Sequence, residues 1–185
     1  MSQNKQTLII INGAPGVGKT TLLRKLTKDL GLPGIGKDDI KELLFEHLGA
    51  KDREWSKDVG AVTFDMVFSL MGRWLEQGHN LIMECPFFKE FAVDQITGMI
   101  EGRDMTVIEL YCKTDPAVRR ERFAKRLGDG SRHPGHADAA VVDIPEEEVS
   151  ARYAPLAIGE FVEVDTTEFG DTEYAELLER VRKLL

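Results

Sequence analysis

The run Gly13-Ala14-Pro15-Gly16-Val17-Gly18-Lys19-Thr20 constrains this chain more than any other feature. It satisfies G-x-x-x-x-G-K-[ST], the P-loop that wraps the phosphates of a nucleoside triphosphate in backbone N–H groups. Its surroundings suit that role. Residues 7–12 form an apolar run that reads as a buried strand, and Leu22, Leu23, Leu26 and Leu30 then recur at helical spacing. Strand, glycine loop and helix N-terminus together make an anion site. Residues Gly13 to Thr21 are the expected nucleotide-binding segment, with Lys19 reaching the terminal phosphates and the Thr20 hydroxyl a ligand for Mg²⁺. No guanine-type NKxD motif follows, so ATP is expected rather than GTP.

The rest of the chain alternates strands and helices. A short strand is expected within 31–36, then a helix starting at Asp38 or Asp39 and holding Ile40, Leu43, Leu44 and Leu48. A long helix over 52–77 carries the stripe Trp55, Val59, Val62, Met66, Leu70 and Trp74, with Gly78 at its C-terminal cap. Further strands are expected over 80–85, 106–112 and 161–165, and helices over 88–101, 116–127, 145–153 and 172–185. Residues 128–143 are polar, Gly-rich and His-bearing, and read as a mobile loop. Such alternation implies an α/β fold with a mostly parallel five-stranded sheet and helices on both faces. Ligands bind beyond the carboxyl ends of such strands, which places Lys19, Asp38, Glu84 and Asp165 along one rim.

At 185 residues, the expectation is one domain over 1–185, with a lid at about 116–144. The apolar run near the N-terminus is too short for a signal peptide or a membrane span. Cys85 and Cys112 have no metal-ligand spacing and end apolar runs, which suggests buried thiols in a reducing, cytoplasmic compartment. The net charge of −8 lies in residues 143–185, and the remainder is balanced. That acidic end region argues against a broad nucleic-acid surface.

Several residues have the chemistry of phosphoryl transfer. Asp38 is a candidate base for an acceptor hydroxyl, although an Asp-Asp pair at a helix start also serves as a cap. Glu84 ends an apolar strand, where it would hold Mg²⁺ through water or grip a substrate hydroxyl. Arg122 and Arg126 are four apart on one helix face, with Arg119 near it, and two or three guanidinium groups suit polyphosphate. Their alternative is a solvated face with Glu121 as partner. Arg132 or a neighbouring histidine of Arg132-His133-Pro134-Gly135-His136 would meet substrate or phosphate if that loop folds over the site; otherwise it is a surface turn. Zinc needs more ligands than these histidines and Asp138 offer. Thr166, just after the fifth strand, lines a base pocket or caps a turn.

The P-loop, Lys37-Asp38-Asp39-Ile40-Lys41 and the paired arginines together resemble the small P-loop kinases of the nucleoside-monophosphate-kinase-like group. AAA_33-type ATP-binding proteins, chloramphenicol phosphotransferase-like enzymes and polynucleotide 5′-hydroxyl kinases are similar. The resemblance runs from about Thr7 to Thr167. It implies a P-loop NTPase fold with an Arg-rich lid, Asp38 as base, Lys41 as an acceptor contact, and Arg122 and Arg126 as lid arginines. Relatives often end the third strand in Asp, where this chain has Glu84. The long helix 52–77 would roof the acceptor pocket with Trp55, Phe64, Phe68 and Trp74, residues that also suit a core. The implied activity is transfer of the γ-phosphate of ATP, with Mg²⁺, to a hydroxyl of a small molecule. A polynucleotide or nucleotide 5′-hydroxyl kinase and a non-transferring ATP-binding module are the alternatives.

Overall fold

The first strand, β1 (Gln6–Asn12), is fully buried from Leu8 to Ile11, so both its faces are covered. Such a strand belongs in the middle of a parallel sheet. The computed structural model describes residues 5–128, 130, 133–136 and 144–185, and β1 is central there. The sheet runs β2 (Gly34–Gly36), β3 (Leu81–Glu84), β1, β4 (Met105–Lys113), β5 (Glu160–Asp165), and every pairing is parallel. On one side, Ile9 and Ile11 meet α1 (Lys19–Leu30) through Leu22, Leu23 and Leu26, and the last helix, α7 (Asp171–Leu184), through Leu177 and Val181. On the other, Leu8 and Ile10 meet α3 (Arg53–Glu76) through Val67, Met71 and Leu75, and α4 (Lys89–Ile100) through Ile96. Each such fully buried aliphatic side chain contributes roughly 1.5–3 kcal/mol. The remaining helices are α2 (Lys37–Leu48), α5 (Pro116–Gly128) and α6 (Glu146–Arg152). No helix among the described residues is long and apolar enough to cross a membrane.

The sheet register levels the ends of three strands. Glu84 lies opposite Ile11 on one side and Gly36 on the other. The loop after β1, the carboxylate of Glu84 and the first turn of α2 therefore open onto one edge. Helix α2 begins at Lys37, one residue before the expected Asp38 or Asp39. The Asp39 carboxylate accepts from the Gly36 N–H at 2.8 Å, so Asp39 is the capping acid. At the end of α3 the Gly78 and His79 N–H groups bond Leu75 and Trp74 carbonyls, the double closure expected beside a glycine.

The buried side of α3 differs from the expected stripe. Val62 and Met66 are exposed, and the helix buries Ser56, Val59, Gly60, Thr63, Val67, Met71 and Leu75. Counting only apolar residues missed three small ones, Ser56, Gly60 and Thr63. Ser56 and Gly60 let Lys41 of α2 approach closely, and the Thr63 hydroxyl is satisfied by the Val59 carbonyl at 2.6 Å.

Glu109 is fully buried in the middle of β4 and has no basic partner among its described contacts. Three N–H donors hold it: Leu156 N at 2.7 Å, Ala157 N at 2.8 Å and Asn12 Nδ2 at 3.3 Å. The Asn12 carbonyl oxygen in turn accepts from Gly13 N at 2.7 Å and Phe87 N at 3.1 Å. This network ties the segment before β5 to the point where the P-loop leaves β1. Truncation would orphan buried donors. Glu109→Ala is therefore expected to lower unfolding stability by about 2–4 kcal/mol in urea titration, with Glu109→Gln losing less.

Both cysteines are free and buried. Burial pushes the Cys112 thiol up to about 12, opposed by Lys19, and raises Cys85 well above its ordinary value. Thiolate is the reactive form. At pH 8 the native protein should resist alkylation at both thiols and react at both once denatured, as mass spectrometry would show.

Candidate active site

The P-loop leaves β1 through a backbone that only glycine accommodates. Gly13 and Gly16 have φ of 131° and 88°. A Cβ on Gly13 would lie 2.2 Å from the Cys112 carbonyl oxygen, and one on Gly16 would lie 2.8 Å from the Phe123 ring. The loop is thus clamped between β4 and α5 and leads directly into α1 at Lys19.

Beyond it lies a cavity of about 590 Å³. Pro15, Gly16, Gly18, Lys19, Thr20 and Thr21 form its floor. Asp38, Lys41 and Glu84 line the wall at β2 and β3, and Arg122, Arg126 and Thr166 line the opposite wall. Gly13, Ala14 and Val17 lie behind the loop and act through the backbone: the Ala14 carbonyl accepts from Lys19 Nζ at 2.9 Å, and the Val17 carbonyl from the Thr166 hydroxyl at 2.8 Å. Among the described residues, seven basic side chains line the cavity against two acids, a field suited to polyphosphate.

At the centre, the Thr20 hydroxyl donates to Glu84 Oε2 at 3.2 Å, and Lys19 Nζ stands 3.7 Å from Glu84 Oε1. Lys19 and Glu84 are only 6% and 4% exposed. Burial raises the Glu84 carboxyl above the usual range, Lys19 and Thr20 oppose that shift, and Asp38 and Asp39 add to it. A hydroxyl and a carboxylate touching at the end of a phosphate loop are hard oxygen donors of the kind Mg²⁺ takes, directly or through water. Asp38 lines the cavity beside them, whereas Asp39 caps α2.

Helix α5 brings its arginines to three different places. Arg122 donates to the Thr166 carbonyl at 2.6 Å and to its hydroxyl oxygen at 3.1 Å, bridging α5 to the end of β5 beside Gly18. Arg126 lies over the Phe123 ring at 4.7 Å. Arg119 does not join them. It is buried behind Gly16 and bonds Glu146 at 3.0 Å, so its partner is Glu146 rather than Glu121. Phe123, hidden among arginines in the sequence, is the ring on which Gly16 and Arg126 both rest.

Two further expectations change. Asp165 is exposed and caps the following turn through Thr167 N at 2.9 Å, and hydrogen bonding to the Thr167 side chain and then to its backbone lowers its carboxyl; Thr166 takes its place on the rim. Of the proposed roof aromatics, only Phe64 lines the cavity. Phe68 is core, Trp74 packs against the core, and Trp55 donates to the Gly49 carbonyl. Phe88 and Tyr153, at the N-cap of α4 and the C-cap of α6 and not singled out in the sequence, continue the wall from Phe64 at ring separations of 5.5 Å each.

Arg132 and Asp138 lie outside the described residues. His133 stacks on Phe45 at 5.4 Å, and His136 bonds Glu42 at 2.9 Å, so this part of the segment meets α2. No cluster of metal ligands occurs among the described residues.

This geometry has relatives. The chain is 34% identical to a protein from Chloroflexus aurantiacus whose crystal structure is described as that of a candidate kinase; the match covers 98% of this chain and 100% of that one, with a TM-score of 0.87. It is 28% identical over 122 residues to a cytidylate kinase of Methanopyrus kandleri. That match spans 65% of this chain and 63% of the kinase. A shikimate kinase from Bacteroides thetaiotaomicron shares the fold, with a TM-score of 0.56 at 18% identity over 96% of this chain and 97% of that one. The AAA_33 family model, described as an AAA domain, matches residues 8–151. With that match spanning most of its length and a kinase-like P-loop fold around the site, the chain belongs to the AAA_33 family.

Proposed function

We propose that this protein transfers the γ-phosphoryl group of MgATP to a hydroxyl of a small molecule. The observation that carries this reading is the division of labour between adjacent acids. Asp39 is occupied in the cap of α2, while Asp38 lines the same cavity as Lys19 and Thr20. The proposed unit is the whole 1–185 segment, with 116–144 as its lid. The buried free thiols support a reducing, cytoplasmic setting.

Each residue has a physical task. The segment from Gly13 to Thr21 cradles the phosphates, with the N–H groups of Gly16 to Thr21 as the donors to phosphate oxygens, since Pro15 has none and Gly13 N is taken by Asn12. Lys19 and the lid pair Arg122 and Arg126 neutralise charge that spreads over the transferring group. Thr166 fixes Arg122 on the nucleotide side. Thr20 and Glu84 fit Mg²⁺, which when bound neutralises charge between the outer phosphates. Asp38 orients the acceptor hydroxyl and takes its proton, and Lys41 and Arg132 contact the acceptor. The similarity to a cytidylate kinase supports a second reading, in which the acceptor oxygen belongs to a phosphate.

ATP turnover over a panel of alcohols, sugars and nucleoside monophosphates tests both readings. Transfer to a hydroxyl is expected. Transfer to phosphates alone would replace the first reading with the second, and no transfer to any acceptor would leave an ATP-binding module. Asp38→Asn should keep MgATP affinity and lower turnover by about 10²–10⁴-fold; normal turnover would remove Asp38 from its role. Thr20→Val should weaken ATP binding in Mg²⁺ but leave the weaker affinity in EDTA unchanged, as equilibrium titration with and without the metal would reveal.

A further inference from the structure

Two lysines one helical turn apart on α2 are both more than nine-tenths buried. Lys37 and Lys41 are each 8% exposed, and both line the cavity. Their ammonium groups meet the same point of α3: a Cβ built on Gly60 would lie 3.5 Å from Lys41 Nζ and 3.9 Å from Lys37 Nζ. Gly60 is buried inside a helix, where glycine is otherwise unfavourable, and its missing side chain leaves room for the two charges.

The partners of the two differ. Lys41 donates to the Ser56 hydroxyl at 3.1 Å and lies over Phe45. Lys37 lies over the Phe64 ring at 4.4 Å, and among the described residues it makes no hydrogen bond or ion pair. A buried ammonium held by a ring face alone is costly, and a like charge beside it adds to the cost. The nearby acids have other tasks. Glu84 is held by Lys19 and Thr20, Asp39 by Gly36 N, and Glu42 by His136, while Asp38 lines the same cavity and makes no ion pair with Lys37. On the kinase reading, the nucleotide phosphates are served by Lys19 on the floor and by Arg122 and Arg126 on the opposite wall.

We propose that Lys37, paired with Lys41 across Gly60, is a specificity residue that seats an anionic group of the acceptor, either a carboxylate or a phosphate monoester. The seat's purpose rests on the kinase reading, but its existence is tested by binding alone. An anion between the two ammonium groups relieves their repulsion and completes the hydrogen bonding of Lys37. It also places the acceptor body against Phe64, Phe88 and Tyr153, beside Asp38. A neutral polyol offers Lys37 no compensating charge.

The test fills the P-loop with Mg²⁺ and a non-hydrolysable ATP analogue, then titrates inorganic phosphate, glycerate and glycerol by calorimetry. Phosphate or glycerate should bind, and glycerol should not. Lys37→Met should weaken the anion at least about tenfold, and Lys37→Arg should retain it, with analogue affinity unchanged in both. Failure of both anions to bind the unaltered protein would overturn the proposal, as would equal binding by a folded Lys37→Met. If Lys37→Met does not fold, the titration of the unaltered protein decides. Turnover with matched alcohols bearing phosphate, carboxylate or no charge separates the two sources of anion, and preference for the uncharged set overturns the seat. Anion binding without turnover on any alcohol keeps the seat and removes the hydroxyl-transfer reading.

Discussion

A lysine ammonium and a glutamate carboxylate, both almost wholly buried, stand 3.7 Å apart at the end of the central strands. Burying two charges costs several kcal/mol per ion before their attraction is counted, so such a pair is weak evidence for stability. Its position explains it better. Glu84 lies in register with Ile11 and Gly36, and Gly36 leaves the space that the carboxylate fills, since a Cβ there would lie 2.9 Å from Glu84 Oε2. The P-loop, β3 and the start of α2 therefore meet around one acid. Altering the length of any of these three strand ends would separate Lys19, Thr20 and Asp38 from it.

The opposite wall depends on a different device. Gly16 lets α5 press Phe123 against the loop, and Thr166 links Val17 to Arg122. One hydroxyl thus joins the end of β5, the phosphate loop and an arginine helix. Among the described residues, the wall on α2 and α3 shares none of these contacts. The two sides of the cavity are built from different stretches of chain, and Lys19 and Glu84 join them at its centre.

Much of this was legible in the sequence because its signals were local. Glycine spacing specified the P-loop, continuous apolar runs specified strands covered on both faces, and the Asp-Asp pair marked a helix start. What escaped depended on partners distant in sequence. Asp38 and Asp39 could not be told apart until the cap was seen. The buried side of α3 runs through Ser56, Gly60 and Thr63, which no count of apolar residues selects. Glu109 reads as an ordinary strand charge, and the N–H donors that hold its carboxylate lie nearly fifty residues onward at Leu156 and Ala157. Arg119 shares its helix face with Arg122, yet the closeness of the P-loop buries it.

The strand order also bears on how the chain is made. The fully covered strand β1 is made before the other strands of its sheet, and its two neighbours begin at Leu81 and Met105. At ordinary translation speeds, β1 waits on the order of ten seconds for them. Throughout that interval Leu8 to Ile11 form a bare adhesive edge, so the nascent polypeptide is a natural client for chaperones.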